Sequence, residues 1–397
     1  MSVQNRFPLE LADRCVKCGL CLPHCPTYRL AGVEGESPRG RIALMQGLAQ
    51  EALEAGPGLV RHLEQCLGCR ACERVCPASV PFGELIDAGR ELLVEQGAGA
   101  AASSRWMARL LRRPRWLRFA IAIARLPGAR SVARMLGGPL GRAAELLPAD
   151  ARPPRWPDHP GTEPAPRGDV LLFAGCVGAA IDGRGLDDVA RLLGVAGWRV
   201  RIPAQQACCG AMDLHAGRPR EARALALRNL KAFNGESPVV ACASGCAATL
   251  LEYQRLAGER GAAFAARIRD PAELLATLEL PLRRAPGRRV VLHLPCTQRN
   301  VTGSADATRQ LLARLPGVEL RELPAGCCGA AGEMFMSRPE LSDALLDPWL
   351  EDLARDPPDA LVTSNIGCAL HFRAGLARRG LEIQVLQPAS LLLGALE

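Results

Sequence analysis

Apolar residues recur at helical spacing in the amino-terminal part of the chain. Ser37 and Pro38 can begin a helix, because Ser favours the N-cap and Pro fits the first helical position. The apolar stripe predicted for this helix comprises Ile42, Met45, Leu48 and Leu53. A second helix is predicted from residues at the same spacing, Phe82, Leu85, Ile86, Gly89, Leu92 and Leu93. The amino-terminal part is therefore predicted to be α-helical.

After Asp169 the pattern changes to short β runs that alternate with helical stretches, twice in the same order. The predicted strands are 170–173, 198–202 and 239–240 in the first unit, and 290–292, 318–323 and 360–362 in the second. Strands that alternate with helices indicate βαβ units and a mostly parallel sheet. A repeat of about 120 residues indicates a duplicated domain rather than a solenoid.

These patterns divide the 397 residues into four segments. An α-helical domain is predicted at 1–100, a basic helical segment with a Pro-rich linker at 101–168, and α/β domains at 169–285 and 286–397. The predicted fold class is an α+β multidomain protein, in which an α-helical domain precedes two tandem α/β domains.

The segment 105–145 combines basic and apolar side chains. It contains ten Arg residues and a single acidic residue, Glu145. Such mixing is typical of a helical surface element. Three interpretations stay open: the segment rests on an anionic membrane surface, docks onto a partner subunit, or forms a helical linker packed on its own protein.

Composition limits the class of protein. The net charge of +8 comes almost entirely from Arg, since Lys17 and Lys231 are the only lysines. No zinc-finger, helix-turn-helix or RNA-binding pattern accompanies the charge, so a nucleic-acid partner is not predicted. The longest uncharged run, 237–251, is shorter than the roughly 18–20 apolar residues of a membrane-spanning helix. A soluble or peripheral protein is expected.

Eight of the 17 cysteines form two copies of the pattern C-x2-C-x2-C-x3-C-P. The copies are Cys15, Cys18, Cys21 and Cys25 before Pro26, and Cys66, Cys69, Cys72 and Cys76 before Pro77. This pattern is typical of two-cluster bacterial ferredoxins, in which the fourth cysteine of each run binds the other cluster. We therefore predict one [4Fe–4S] cluster on Cys15, Cys18, Cys21 and Cys76, and a second on Cys66, Cys69, Cys72 and Cys25. The two predicted helices would cover the clusters with apolar surface.

Other uses of these cysteines fit the spacing less well. Zinc knuckles usually take two spaced pairs of ligands, often with His, rather than three evenly spaced cysteines and a fourth before Pro. Disulfides are not expected, because no signal peptide precedes the cysteines. Arg39 and Arg41 lie beside the first run, and we interpret them as a solvated pair.

The remaining cysteines recur at matching places in the two α/β units. Each follows a predicted strand, at the edge where open α/β sheets build their sites. The first set is Cys176, Cys208, Cys209 and Cys246, and the second is Cys296, Cys327, Cys328 and Cys368. A further iron–sulfur cluster, a zinc or redox thiol site, and plain packing of small residues are the competing interpretations. Their recurrence favours a metal or redox function over packing.

Several cofactor and catalytic patterns are absent from the sequence. No strand–GxGxxG–helix, HExxH, P-loop or GxSxG pattern occurs. Because hydride chemistry belongs to organic cofactors, the chain is predicted to pass electrons while a partner carries a flavin.

The motifs resemble the iron–sulfur subunit of bacterial glycolate oxidase, also called glycolate dehydrogenase, nearly end to end. The matching segments are CPTYRL at 25–30, SPRGRIALM at 37–45, CLGCRACERVCP at 66–77, ACCGAMDLH at 207–215, ASGC at 243–246, PCT at 295–297, CCGAAG at 327–332 and SNIGC at 364–368. The resemblance implies a two-[4Fe–4S] ferredoxin-type domain followed by two cysteine-rich Cys-Cys-Gly domains, with the eight amino-terminal cysteines as cluster ligands.

The resemblance also implies partners and a location. Flavoprotein subunits that carry FAD would oxidise glycolate to glyoxylate, and this chain would relay electrons towards quinone or another membrane acceptor. It would be cytoplasmic and peripheral on the cytoplasmic face of the inner membrane.

Related proteins keep other functions open. Lactate or anaerobic glycerol-3-phosphate dehydrogenases share the architecture, as do heterodisulfide reductase subunits. Ala243 and Asn365 stand where a heterodisulfide-type cluster would have further thiols, so that cluster type is not expected. An iron–sulfur sensor or scaffold is the alternative of another class, but two coupled clusters favour a relay.

Overall fold

The amino-terminal region is entirely helical. The computed structural model describes residues 7–99, 102–148, 150–155, 167–283 and 287–396. The first six helices are α1 (Leu9–Ala12), α2 (Pro26–Ala31), α3 (Pro38–Ala49), α4 (Pro57–Glu64), α5 (Ala71–Arg74) and α6 (Phe82–Glu95), with 3₁₀ turns at Leu22–His24 and Glu34–Glu36. As predicted, α3 begins behind Ser37, whose side chain accepts a hydrogen bond from the Gly40 amide at 2.9 Å.

The predicted apolar stripes form the core of this region. In α3, Ile42, Met45 and Leu48 are buried, and they pack with the buried face of α6. Leu53 does not belong to the stripe: it lies beyond the end of α3 and its side chain is 44% exposed. The helix ends at Ala49 and the chain turns through Glu51, which has φ of +59°. That turn carries Leu53 away from the core.

Four further helices follow in the basic segment. They are α7 (Ala102–Leu111), α8 (Pro114–Ala124), α9 (Ala129–Leu136) and α10 (Gly138–Leu146). The two ends of the segment are packed on the protein: Ala108 and Leu111 are buried at one end, and Ala144 and Leu146 at the other. Between them α8 and α9 contain no buried residue among those described. The linker interpretation therefore holds for the ends of the segment and fails for its middle.

The first α/β unit contains a parallel sheet of four strands. Its strands are β1 (Gly168–Phe173), β2 (Trp198–Arg201), β3 (Val239–Ala241) and β4 (Ile268–Arg269), in the order β2-β1-β3-β4. Its helices are α11 (Gly178–Ile181), α12 (Gly183–Val195), α13 (Ala211–Leu214), α14 (Pro219–Ala232), α15 (Ser244–Leu251), α16 (Tyr253–Ala265) and α17 (Pro271–Leu275).

The second unit repeats this arrangement. Its strands are β5 (Arg288–Leu292), β6 (Val318–Glu322), β7 (Ala360–Val362) and β8 (Gln384–Leu386), in the order β6-β5-β7-β8 and again all parallel. A π-helical turn spans Gln298–Thr302, and the helices are α18 (Ala305–Ala313), α19 (Met334–Ser337), α20 (Pro339–Arg355), α21 (Ile366–Arg378) and α22 (Pro388–Leu393). The fold class predicted from the sequence is confirmed.

The two sheets share one core. Val170, Leu172 and Val240 of the first sheet lie in the same apolar cluster as Val290 and Val362 of the second, with α12 packed against α22. The sequence predicted three strands in each unit and missed β4 and β8. Both are short, with two and three residues, so they lack the longer apolar run by which a strand is recognised. In each sheet, the short edge strand pairs only with the third predicted strand.

No described helix is both long enough and apolar enough to cross a membrane.

Candidate iron–sulfur and thiol sites

The second cysteine run and the last cysteine of the first run surround one cavity. Cys66, Cys69 and Cys72 line it together with Cys25, and its empty volume is about 310 Å³. The runs thus meet as the cross-ligation pattern requires. Thiolates are the soft ligands that iron–sulfur clusters prefer, so the donor set fits such a cluster. Phe82 at the start of α6 closes part of the cavity wall.

Arg41 holds the loop that carries Cys25. Its side chain is 1% exposed, and it donates to the His62 carbonyl at 2.7 Å and to the Thr27 hydroxyl at 3.0 Å. It also pairs with the buried carboxylate of Glu36, and its guanidinium lies 3.9 Å from the Cys25 Sγ. A fixed positive charge beside a thiolate ligand favours the charged form of that ligand. The interpretation of Arg41 as solvated is therefore wrong.

Arg39 is the exposed member of that pair. Its guanidinium bonds Glu34 at 2.7 Å and the Lys17 carbonyl at 2.9 Å. The hydrogen bond from Arg39 is also the main reason that the pKa of Glu34 is lowered. Arg39 thus ties the first cysteine loop to the turn before α3, at the surface of the protein.

The first cluster site lies closer to solvent than the second. Cys18 is exposed and Cys15 and Cys21 are half-buried, whereas Cys25, Cys66 and Cys72 are buried. Cys15, Cys18 and Cys21 lie near enough to one another to interact electrostatically. Cys76, half-buried, follows α5, which packs against the turn at Leu22–His24.

Burial dominates the titration of the inner thiols. It raises the pKa of Cys69 and of Cys72 well above the ordinary value, and the neighbouring cysteines add to this effect. Iron must therefore displace protons when it binds at this site. Assembly of the inner site is thus coupled to proton release.

The inner cysteine loop also contacts the second α/β unit. The side-chain amide of Asn300 donates to the Cys69 carbonyl at 2.7 Å, and Cys296 is close enough to raise the pKa of Cys69 further. Arg90 of α6 donates to the Cys66 carbonyl at 2.6 Å and to the His215 carbonyl at 2.9 Å. The inner site is thus enclosed by all three folded units. Sequence reasoning missed these residues, because their contacts lie far away along the chain.

The structure brings both predicted cysteine sets together. In the first, the Sγ atoms of Cys176 and Cys208 lie 3.5 Å apart, and Cys209 contacts Cys246. In the second, the Sγ distances are 3.8 Å for Cys296 to Cys327 and 2.9 Å for Cys328 to Cys368. We call these sets the first and second thiol quartets.

Single-ion binding is not favoured by these arrangements. Across the described ranges, no group of three or more His, Cys, Asp or Glu side chains is placed so that it could hold a metal ion. The ligands of a four-iron cluster each bind a different iron, so they need not converge on one point. The quartet thiols meet mainly as pairs.

Buried polar side chains hold each Cys-Cys-Gly turn by its carbonyl groups. In the first unit, Asn229 donates to the Cys208 carbonyl at 3.0 Å and the Tyr253 hydroxyl donates to the Cys209 carbonyl at 2.9 Å. In the second, His371 Nδ1 donates to the Cys328 carbonyl at 2.8 Å and the Ser342 hydroxyl to the Gly329 carbonyl at 2.9 Å. These contacts fix the turn without using the thiols.

His371 and His215 have different roles in the structure. His371 is fully buried, and its Nε2 lies 3.0 Å from the carboxylate of Asp343. His215 is half-exposed and its Nδ1 lies 2.9 Å from the buried carboxylate of Asp87, so it joins the first α/β unit to α6. Cys242 is buried in the shared core and belongs to neither quartet.

Replacing Gly329 with alanine should destabilise the second quartet. Gly329 has φ of +83°, and an added Cβ would lie 2.5 Å from the Ser342 carbonyl oxygen. We expect a loss of about 2–4 kcal/mol, from left-handed strain and this clash. Gly303→Ala is the matched control, because Gly303 has φ of +71° with no atom near the added Cβ. Thermal unfolding of the two variants measures the difference, and equal losses would contradict the packing described.

Comparison with known proteins places these sites in context. The family model described as "4Fe-4S dicluster domain" matches residues 11–80, and that described as "Cysteine-rich domain" matches 170–251 and 290–373. The chain is 32% identical to the probable glycolate oxidase iron-sulfur subunit of Bacillus subtilis, over 99% of this chain and 97% of that protein.

Two further relatives are similar over most of their length. Identity to the glycolate oxidase iron-sulfur subunit of Escherichia coli is 32%, over 93% of this chain and 92% of that protein. Identity to a subunit of the CoM/CoB fumarate reductase of Methanothermobacter marburgensis is 26%, over 95% and 71%. All three are named as subunits, so the chain is similar to parts of larger oxidoreductase complexes.

Proposed function

The chain belongs to the family of glycolate oxidase iron–sulfur subunits, and we propose that it receives electrons from a flavoprotein that oxidises glycolate to glyoxylate. The role of an electron-transfer subunit follows from that family and from the matching dicluster domain. Its partner subunits would carry the FAD and the site for glycolate. Quinone is the proposed final acceptor.

The observation that best supports this proposal is the meeting of Cys25 with the second cysteine run around one cavity. We propose Cys66, Cys69, Cys72 and Cys25 as ligands of one [4Fe–4S] cluster, and Cys15, Cys18, Cys21 and Cys76 as ligands of the other. Bound clusters would supply one-electron carriers. The residues of the chain hold them side by side, since each run contributes to both sites.

The exposed end of this relay has an apolar rim. Val16 and Leu20 lie between the cysteines of the first run and are 73% and 56% exposed. Leu30 and Val33 add two more exposed apolar side chains shortly after Cys25, at 47% and 49%. Exposed apolar groups around a buried redox site are typical of a docking surface. We propose that the flavoprotein docks here and delivers electrons to the outer cluster site.

Placing a charge on this rim should slow electron delivery. In the double variant Val16→Glu/Leu20→Glu, we expect reduction of the clusters by the glycolate-reduced flavoprotein to slow by at least about tenfold. Reduction by dithionite should be unchanged, because small reductants need no docking surface. Leu227→Glu is the control, since Leu227 is 41% exposed on α14. Equal rates in the double variant and the control would contradict a docking role for the rim.

The thiol quartets are proposed as further redox sites. The second quartet lies next to the inner cluster site, where Asn300 bonds the Cys69 carbonyl and Cys296 is near Cys69. Electrons that reach the inner site are therefore close to Cys296 and Cys327. Iron clearly above about eight atoms per chain would identify the quartets as cluster ligands. About eight irons with oxidisable quartet thiols would identify them as dithiol sites.

We also propose that the chain lies on the cytoplasmic face of the inner membrane. Quinone dissolves in the bilayer, so its reduction requires a complex that reaches the membrane surface. The exposed basic segment between α7 and α10 is the part of the chain whose chemistry fits such a contact.

A further inference from the structure

The middle of the basic segment displays large apolar side chains to solvent. Among the described residues, sixteen large hydrophobic side chains are exposed, and eight of them fall within residues 113–140. These eight are Trp116, Phe119, Ile123, Leu126, Val132, Met135, Leu136 and Leu140, with exposures from 46% to 86%. We call residues 113–140 the α8–α9 surface. Concentrated exposure of this kind marks an interaction site.

The apolar residues of α8 form a stripe along one side of the helix. Trp116, Phe119 and Ile123 follow one another at intervals of three and four residues, the spacing of one helix face. The rings of Trp116 and Phe119 pack edge to face with centroids 6.2 Å apart. The stripe is therefore a continuous ridge and not a set of scattered residues.

The charge of this surface has one sign. Its exposed charged side chains are all basic and include Arg113, Arg115, Arg118, Arg125 and Arg134. The only acidic residue in 102–148 is Glu145, and it is already paired with Arg142 and Arg378. An occupant of the α8–α9 surface must therefore be apolar and supply negative charge.

Both ends of the segment are fixed to the protein. At one end, Arg112 pairs with the buried carboxylate of Asp213 at 3.8 Å. At the other, Arg142 donates to the Phe335 carbonyl at 2.8 Å and pairs with Asp343 at 2.5 Å. The middle is thus held away from the core by two anchored ends. Its exposure is a property of the fold and not of a free tail.

We propose that the α8–α9 surface binds the headgroup region of an anionic lipid bilayer. Trp and Arg side chains are favoured at that depth, where the ring or stem is apolar and the polar group stays wet. Interfacial helices that carry Arg on one side and large apolar residues on the other bind anionic lipid in this way. A protein partner would have to be acidic across the whole surface, whereas an anionic bilayer offers negative charge everywhere.

This inference rests on the peripheral location proposed above and names the surface that produces it. It does not rest on electron transfer, and it can therefore fail or succeed separately. Vesicle binding requires neither glycolate nor the flavoprotein. The relay can be measured with a water-soluble acceptor and no lipid.

Cosedimentation of the iron-loaded full chain with vesicles tests the proposal. We expect binding to phosphatidylcholine vesicles that contain one-third phosphatidylglycerol, and little binding to phosphatidylcholine alone. Binding should weaken as salt increases, because ions screen exposed charges. Equal binding to the two kinds of vesicle, or none to either, would overturn the proposal.

Two variants separate charge from apolar contact. Arg115→Gln/Arg118→Gln/Arg125→Gln should weaken binding to anionic vesicles roughly a hundredfold, since each Arg near such a surface contributes about fivefold. Trp116→Ala/Phe119→Ala should weaken it at every salt concentration. The matched control is Arg220→Gln/Arg223→Gln/Arg228→Gln, which removes three exposed Arg residues from α14 and should leave vesicle binding nearly unchanged.

The same variants test the alternative occupant. If Trp116→Ala/Phe119→Ala keeps full vesicle binding but no longer copurifies with the flavoprotein subunits, the surface is a subunit interface and the lipid proposal is wrong. Equal losses of vesicle binding in the α8 and α14 triple variants would also overturn it, because net charge alone would then explain the binding.

Discussion

Cys25→Ala should remove the cluster of the second cysteine run and spare that of the first. Although Cys25 belongs to the first run, its thiol lines the cavity formed by Cys66, Cys69 and Cys72. We expect iron to fall by about four atoms per chain. Because the inner site lies between the outer site and the second quartet, electron transfer from glycolate to the acceptor should be abolished. Iron and sulfide analysis with EPR of the dithionite-reduced chain measures both effects.

The matched control for this prediction is Cys242→Ala. Cys242 is equally buried but lies in the shared core outside both quartets, so iron content and relay should stay unchanged. A Cys25→Ala chain whose surviving EPR signal is also lost in Cys66→Ala would assign both cysteines to the remaining cluster and contradict cross-ligation.

Arg41→Ala should strongly destabilise the amino-terminal region. The substitution leaves the Glu36 carboxylate buried with His62 as its remaining ion-pair partner, at 2.6 Å. It also removes the donors to the Thr27 hydroxyl and to the His62 carbonyl. Breaking a buried ion pair by removing one partner costs about 3–5 kcal/mol. Urea titration of the iron-loaded chain under argon, followed by cluster absorbance, should show a markedly lower midpoint.

Arg39→Ala is the internal control, two residues away. Arg39 bonds Glu34 and the Lys17 carbonyl at the surface, where an ion pair contributes little to stability. Its midpoint should match that of the unsubstituted chain. If Arg41→Lys restored the midpoint completely, the several directed hydrogen bonds of the guanidinium would be unimportant and the account of Arg41 would be wrong.

The sequence predicted the features that depend on local spacing. The helices behind Ser37 and at Phe82–Glu95, the parallel strands of both units, and the gathering of each quartet all follow from patterns within one segment. Parallel strands place their carboxyl ends at one edge, so residues that follow successive strands must meet there. This is why cysteines more than 30 residues apart could be grouped from the sequence.

Features that depend on the packing of distant segments could not be predicted in this way. Arg41 looks like any exposed helical Arg until Glu36 and the His62 carbonyl are placed around it. Asn229 and Tyr253 hold the first Cys-Cys-Gly turn from two separate helices. Asn300 reaches Cys69 across 231 residues of chain. None of these contacts has a signal in local composition or periodicity.

Glycolate-driven reduction of the assembled complex tests the central claim most directly. The chain would be purified anaerobically with its flavoprotein subunits, analysed for iron and sulfide, mixed with glycolate and frozen for EPR. The account predicts at least about eight irons per chain and reduced [4Fe–4S] signals that appear only when glycolate is added. A colourless, iron-free chain, or clusters that dithionite reduces and glycolate with the flavoprotein does not, would contradict it.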